Sequence, residues 1–233
     1  MPLLVNALAP APLPHAPWAP GPGLSYFLCV AVGLIGAAIA ARWQPRSVQL
    51  GAGERQAIAF AALAGAIVFA YGLQLPPDLL GWSAPPPPGA VGDGMPLGGR
   101  TVLGGLLGGW LGVELMKWLG GIRRPTGGDF ALPLAIALCC GRFGCWFAGC
   151  CAGQPCNAAW YATIDAAGTA RVPVQLLEAA FHGISAIALA IAARRRVWPE
   201  RRLAAYLAVY AFVPRSEKRR VGKECRSRWS PYH

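Results

Sequence analysis

The chain has 233 residues, 55% of them hydrophobic and 13% charged, with a mean hydropathy of +0.42. Soluble domains carry about 25% charged residues and disordered chains are poor in apolar ones, so both classes are excluded and lipid is the expected solvent. The formal net charge is +11, but almost half of it lies in residues 215–233, so the rest of the chain has no charge excess calling for a nucleic-acid partner.

Residues 1–22 are rich in Ala and Pro and contain no Lys or Arg. Without a positive n-region they do not read as a secretory signal peptide, but as an extended lead-in to a membrane domain over residues 23–214. The first apolar run, about residues 23–41, has the ~20-residue length that a bilayer core requires. A second covers about 57–75, with Pro76 and Pro77 as its stop and a proline-rich loop continuing to Gly99. The third, about 101–119, contains LGGLLGGWLG, and its Glu114 and Lys117 share a face as a neutralising pair. The fourth, about 129–149, carries Arg142. After a Cys-rich loop the fifth runs over about 173–193 and stops at Arg194, Arg195 and Arg196. A sixth begins near Leu203 and breaks off at Pro214, too short to span. All are expected to be helices, because backbone groups in lipid must bond within their own segment. The fold class is therefore all-α, a polytopic transmembrane helical bundle with five full spans and a truncated last helix.

Lys and Arg set the orientation. Arg42, Arg46 and Arg55 follow the first span, Arg123 and Arg124 the third, and a cluster from Arg194 to Arg202 the fifth, whereas the alternate segments hold only Arg100 and Arg171. The N-terminus is thus expected outside and the basic loops in the cytoplasm, as in a multi-pass protein of a bacterial inner membrane. Residues 215–233 would then lie outside despite seven Lys and Arg. They resemble the translation of a short-read sequencing adapter, differing at Lys218, and are set aside as an artefact tail.

Arg142 is the most informative residue. A charge within a span costs ~2.5–3.5 kcal/mol on insertion scales, so it has a partner or a task. It lies about ten ångströms below the outer surface at 1.5 Å per residue, where its planar fork suits lipid phosphate oxygens. Pairing with Glu178 is the structural alternative. Arg100, at the outer end of the third span, reads equally as an interfacial anchor or as the second point of an anion clamp. Gly104, Gly105, Gly108 and Gly109 favour close helix packing over a ligand role. Glu178 and His182, four apart, share a face, as a packed polar pair or a proton relay.

Cys145, Cys150, Cys151 and Cys156 do not have C-x2-C zinc spacing, and no metal or cofactor is expected. Outside the membrane, disulfides among Cys150, Cys151 and Cys156 are permitted.

Four stretches in order resemble the prolipoprotein diacylglyceryl transferase family. Tyr26 with Gly33 resembles its first-helix pattern, and GRTVLGGLLGG at 99–109 its His-Gly-Gly region. DFALP, starting at Asp129, leads into GRFGCWFAGCCAG at 141–153, which is similar to the signature around the family's essential Arg. RVPVQLLEA at 171–179 is similar to its Arg-x-Pro-x-Gln-Leu-x-Glu segment. The resemblance implies transfer of the diacylglyceryl group of phosphatidylglycerol to the lipobox cysteine of a prolipoprotein signal peptide. Arg142 would anchor the phosphate with help from Arg100. Gly104, Gly105, Gly144, Gly149 and Gly153 would shape the headgroup site, and Gln175 and Glu178 would hold Arg142. Tyr26, Asp129, Cys145 and Tyr210 occupy further motif positions. The chain departs from the pattern at Leu103, where the family has His, at Cys145 for Asn, at Cys150 for Glu, and at Pro214 for a late Arg. With the last helix cut short, the chain as it stands is expected to be inactive. A non-catalytic or transport-type protein of the same fold, and a thiol-disulfide membrane enzyme, are the alternatives.

Overall fold

The computed structural model describes residues 22–46, 48–73, 102–149, 153, 155, 162–164 and 170–212. These form helices α1 (Pro22–Trp43), α2 (Ala52–Gly72), α3 (Val102–Leu119), α4 (Gly127–Phe147), α5 (Val174–Arg194) and α6 (Arg202–Phe212). α1, α2, α4 and α5 are each long and apolar enough to cross a membrane. Their outward faces are apolar too. Phe27, Val32 and Ile35 of α1 and Phe60, Ile67 and Val68 of α2 are exposed, a liability in water but the expected surface against acyl chains. Trp43 and Trp118 near helix ends and Trp198 between α5 and α6 are exposed, as amphipathic indoles are at a membrane–water interface. The chain is thus an all-α, multi-pass membrane protein.

The described residues divide into two compact units, one drawn from 1–47 and 126–233, the other from 48–125. In the second unit α2 and α3 pack antiparallel. A Cβ placed on Gly65 would collide with the Gly108 carbonyl, one on Gly108 with the Gly65 carbonyl and Phe69, and one on Gly112 with the Ala61 carbonyl. Glycine here lets backbone meet backbone, the usual device where lipid supplies no hydrophobic drive between helices. Glu114 and Lys117 pair at 2.9 Å. α3 closes in a Schellman motif, with Ile122 N–H bonding Lys117 O and Gly121 N–H bonding Trp118 O. Gly121 supplies the required left-handed residue at φ +65°.

α2 differs from its sequence reading at both ends. It begins at Ala52 because charged residues, which lower the apolar signal, cap it. Glu54 Oε2 accepts from Gly51 N–H at 2.7 Å, and Arg55 Nη1 donates to Leu50 O at 2.9 Å. It ends at Gly72 with Leu73 as its cap, ahead of the prolines expected to stop it.

In the first unit, α1 lies antiparallel on α4, with Gly33 facing Cys140, Gly36 facing Ile136, and Gly144 facing Tyr26 and Cys29. Ala131, Leu132 and Ala135 of α4 meet Leu189 of α5 and Tyr206 of α6 in the core. Pro133 stands inside α4 and, lacking an N–H, leaves the Asp129 carbonyl without its helical donor. Gln44 Nε2 donates to that carbonyl at 2.5 Å, which ties the end of α1 to the start of α4. Before α5 the chain forms a minimal antiparallel pair, β1 (Thr163–Ile164) with β2 (Ala170–Arg171), and Pro155 bridges to Arg171. The sequence predicts only a loop here, because two-residue strands are too short to show a periodicity.

Candidate active site

Three helices of the first unit converge on one guanidinium. Arg142 comes from α4, seven residues beyond the buried Ala135. Its Nε lies 2.5 Å from Oε2 of Glu178 on α5, with the two side chains only 16% and 4% exposed. A buried lone charge costs several kcal/mol, and either group alone would be strongly unfavourable; together they neutralise each other. The Tyr210 side chain of α6 hydrogen-bonds with the same guanidinium, and Cys145, one turn along α4, lies within its electrostatic reach. Gln175 is buried one turn before Glu178. The Arg142–Glu178 pairing foreseen in the sequence is therefore present, and Tyr210 joins it.

Behind this pair stands a second polar layer. His182 is fully buried, and its Nδ1 shares a 2.7 Å hydrogen bond with Tyr206 Oη. Its ring lies 4.8 Å from that of Tyr210, and Phe181 stacks on Tyr210 at 5.8 Å. Glu178 and His182 share a face as expected, but each reaches to a different helix, Glu178 to α4 and His182 to α6. Tyr206 was missed in the sequence, where an aromatic in an apolar run looks like ordinary core. Its spacing of four from Tyr210 was the available signal.

The remaining predicted positions scatter. Gly144 is filled from α1, since a Cβ there would lie 3.1 Å from Cys29 Cβ and 3.2 Å from Tyr26 Cδ2. This makes Tyr26 a packing partner of the turn that carries Arg142. Gly153 is pressed by the segment entering α5, with Val172 O 2.6 Å from its would-be Cβ, and its N–H bonds that carbonyl at 3.0 Å. Gly149 ends α4 at φ +68° with open space around it. Asp129 sits at the opposite end of α4, ~20 Å along the axis from Arg142 at 1.5 Å per residue. Gly104 and Gly105 belong to the other unit, where Gly105 faces Ala66 and Ala70 of α2. Leu103 falls within α3. Arg100, Cys150, Cys151, Cys156 and Pro214 lie outside the described residues. Among the described residues Cys29, Cys139, Cys140 and Cys145 are not in disulfides. Among the described residues no cluster of three or more His, Cys, Asp or Glu is placed to hold a metal.

Comparison with known families returns one described as prolipoprotein diacylglyceryl transferase, matched over residues 23–216. A search of curated proteins finds no match. The family match covers well over half of the chain and includes α1 to α6, with the Arg142, Glu178 and Tyr210 constellation inside it. The chain belongs to the prolipoprotein diacylglyceryl transferase family, membrane transferases of lipoprotein biosynthesis.

Proposed function

We propose that the protein transfers the diacylglyceryl group of phosphatidylglycerol to the lipobox cysteine thiol of prolipoproteins in the bacterial inner membrane, releasing glycerol phosphate. The observation that carries this reading is the half-buried Arg142, oriented by Glu178 and Tyr210. An arginine holds five N–H donors in a planar fork. With its Nε edge turned to Glu178, the terminal nitrogens suit the phosphate oxygens of a lipid entering sideways from the bilayer.

In the reaction, the thiol sulfur forms a bond to the terminal glyceryl carbon while the bond from that carbon to the phosphate oxygen breaks. The bonding electrons leave with glycerol phosphate, so negative charge grows where Arg142 stands. A donor fixed in place before the charge develops, in a site shielded from water, stabilises it without reorganisation. Gly144 and Gly149 bring the end of α4 close to the headgroup, Gly153 shapes the loop above it, and Gln175 supports Glu178. The family resemblance assigns headgroup roles to Gly104, Gly105 and Arg100 as well, Arg100 as a second phosphate contact. Tyr26 and Cys145 support α1 and α4 around Arg142, and Asp129 secures the far end of α4, where its carbonyl accepts from Gln44. No cofactor enters these steps. Residues 215–233 are read as foreign sequence, so the test uses the chain with its genomic continuation after Val213.

The test is rescue of cells depleted of their own transferase by the chain so continued. Growth that disappears with Arg142→Ala is the expected result. Absence of rescue by a well-expressed, inserted protein would overturn the reading and leave a family fold put to another use.

A further inference from the structure

We propose that His182 is the proton acceptor of the reaction, with Tyr206 fixing its tautomer. This rests on the transferase reading above.

A thiol must lose its proton to attack, because the thiolate is the nucleophile. Arg142 cannot accept that proton, since guanidinium stays charged. Glu178 is already committed to Arg142. Of the chain's 3 histidines, only His182 lies among the described residues, and it sits one turn from Glu178 on the face that meets α6. It is fully buried, yet Nε2 has no hydrogen-bond partner among the described residues. A buried polar atom without a partner is costly where a leucine would pack freely; among the several such atoms here, this one, on a ring able to take a proton, calls for a chemical reason.

The hydrogen bond at the other nitrogen supplies one. Either partner can donate in the 2.7 Å bond between Nδ1 and Tyr206 Oη; we assign the donor role to Nδ1–H, which puts the lone pair on Nε2, the nitrogen left open. Tyr210, 4.8 Å from the imidazole and hydrogen-bonded with Arg142, joins the proton-accepting and phosphate-binding groups.

The step balances as follows. The S–H bond breaks and its proton passes to Nε2. The sulfur electron pair forms the S–C bond, and the C–O bond to phosphate breaks with its electrons on the leaving group. The imidazolium then gives the proton to the departing phosphate. His182 is buried before the substrate enters, so the signal peptide must part α5 and α6 locally to reach it.

Two measurements test this on the chain continued after Val213. In lipid nanodiscs with 15N-labelled histidine, the resonance lost in His182→Gln should report a bare Nε2 and a protonated Nδ1, a preference that Tyr206→Phe removes. A resonance reporting Nε2–H overturns the proposal whatever the activity. In transfer assays with phosphatidylglycerol and a lipobox peptide, His182→Gln should lower kcat by ~10²–10⁴ with KM for both substrates unchanged, and Tyr206→Phe by a smaller factor. Unchanged kcat in His182→Gln overturns the role of His182 alone. An unsubstituted chain that is inserted but transfers nothing overturns both readings.

Discussion

Where α2 meets α3, glycines strip away side chains until Gly65, Gly108 and Gly112 bring one backbone against the other. Where α4 meets α5 and α6, the interface instead holds an arginine, a glutamate, a histidine and two tyrosines. Both solve the same problem, since helices in lipid gain nothing from hydrophobic association. The glycine seam solves it with dispersion and Cα–H···O contacts, which ask nothing of protonation or charge. The polar seam carries the desolvation cost of a buried ion pair, which apolar residues of similar volume would avoid. A seam that costs more than its alternative is where chemistry is to be sought. The contrast sets a seam built for packing beside one built around buried charge.

The comparison can be broken most forcefully at Glu178. Glu178→Ala leaves Arg142 buried without its carboxylate and should lower stability by ~3–5 kcal/mol, read as a reduced thermal midpoint in detergent. The double replacement Arg142→Met with Glu178→Leu should recover most of that loss while remaining inactive. Recovery of stability without activity is what distinguishes a functional pair from a structural one. Arg142→Ala should lower transfer by ~10²–10³, the loss typical of removing one fixed donor from a developing anion.

The glycine seam should respond only in stability. Gly108→Ala or Gly112→Ala forces methyl groups into carbonyl oxygens and should destabilise the α2–α3 pair by ~1–3 kcal/mol. Gly109→Ala, whose new Cβ would lie 3.3 Å from the Ala62 carbonyl, should cost less. Smallest is Gly53→Ala, where nothing lies within 4 Å. It should stabilise α2 by ~0.4–1 kcal/mol through the unfolded chain. A strong effect there would mean that α2 has a neighbour not described above.

Much of this was legible in the sequence. The spans follow from apolar runs near the length of a bilayer, because the solvent itself dictates them. Arg142 was visible since a charge in such a run is expensive, and Glu178 since an arginine needs a counter-charge. What stayed hidden was tertiary. Gln44 reads as a loop residue, and only the fold brings it to the carbonyl that Pro133 leaves without a helical donor. Tyr206 lies in an apolar stretch, and its bond to His182 depends on how α6 returns along α5. Gly144 is a headgroup position by its motif, and its packing against Tyr26 and Cys29, which the motif does not show, depends on the placement of α1. The start of α2 was read late because Glu54 and Arg55, which cap it, also interrupt the apolar pattern.

The most direct test of the central claim is chemical. The chain continued after Val213 would be purified in nanodiscs, given phosphatidylglycerol and a lipobox peptide, and the peptide examined by mass spectrometry. The account predicts a mass increase equal to one diacylglyceryl group on the cysteine, with glycerol phosphate released in equal amount, and neither product from Arg142→Ala. An unmodified peptide with the unsubstituted protein, or equal modification by Arg142→Ala, would contradict it.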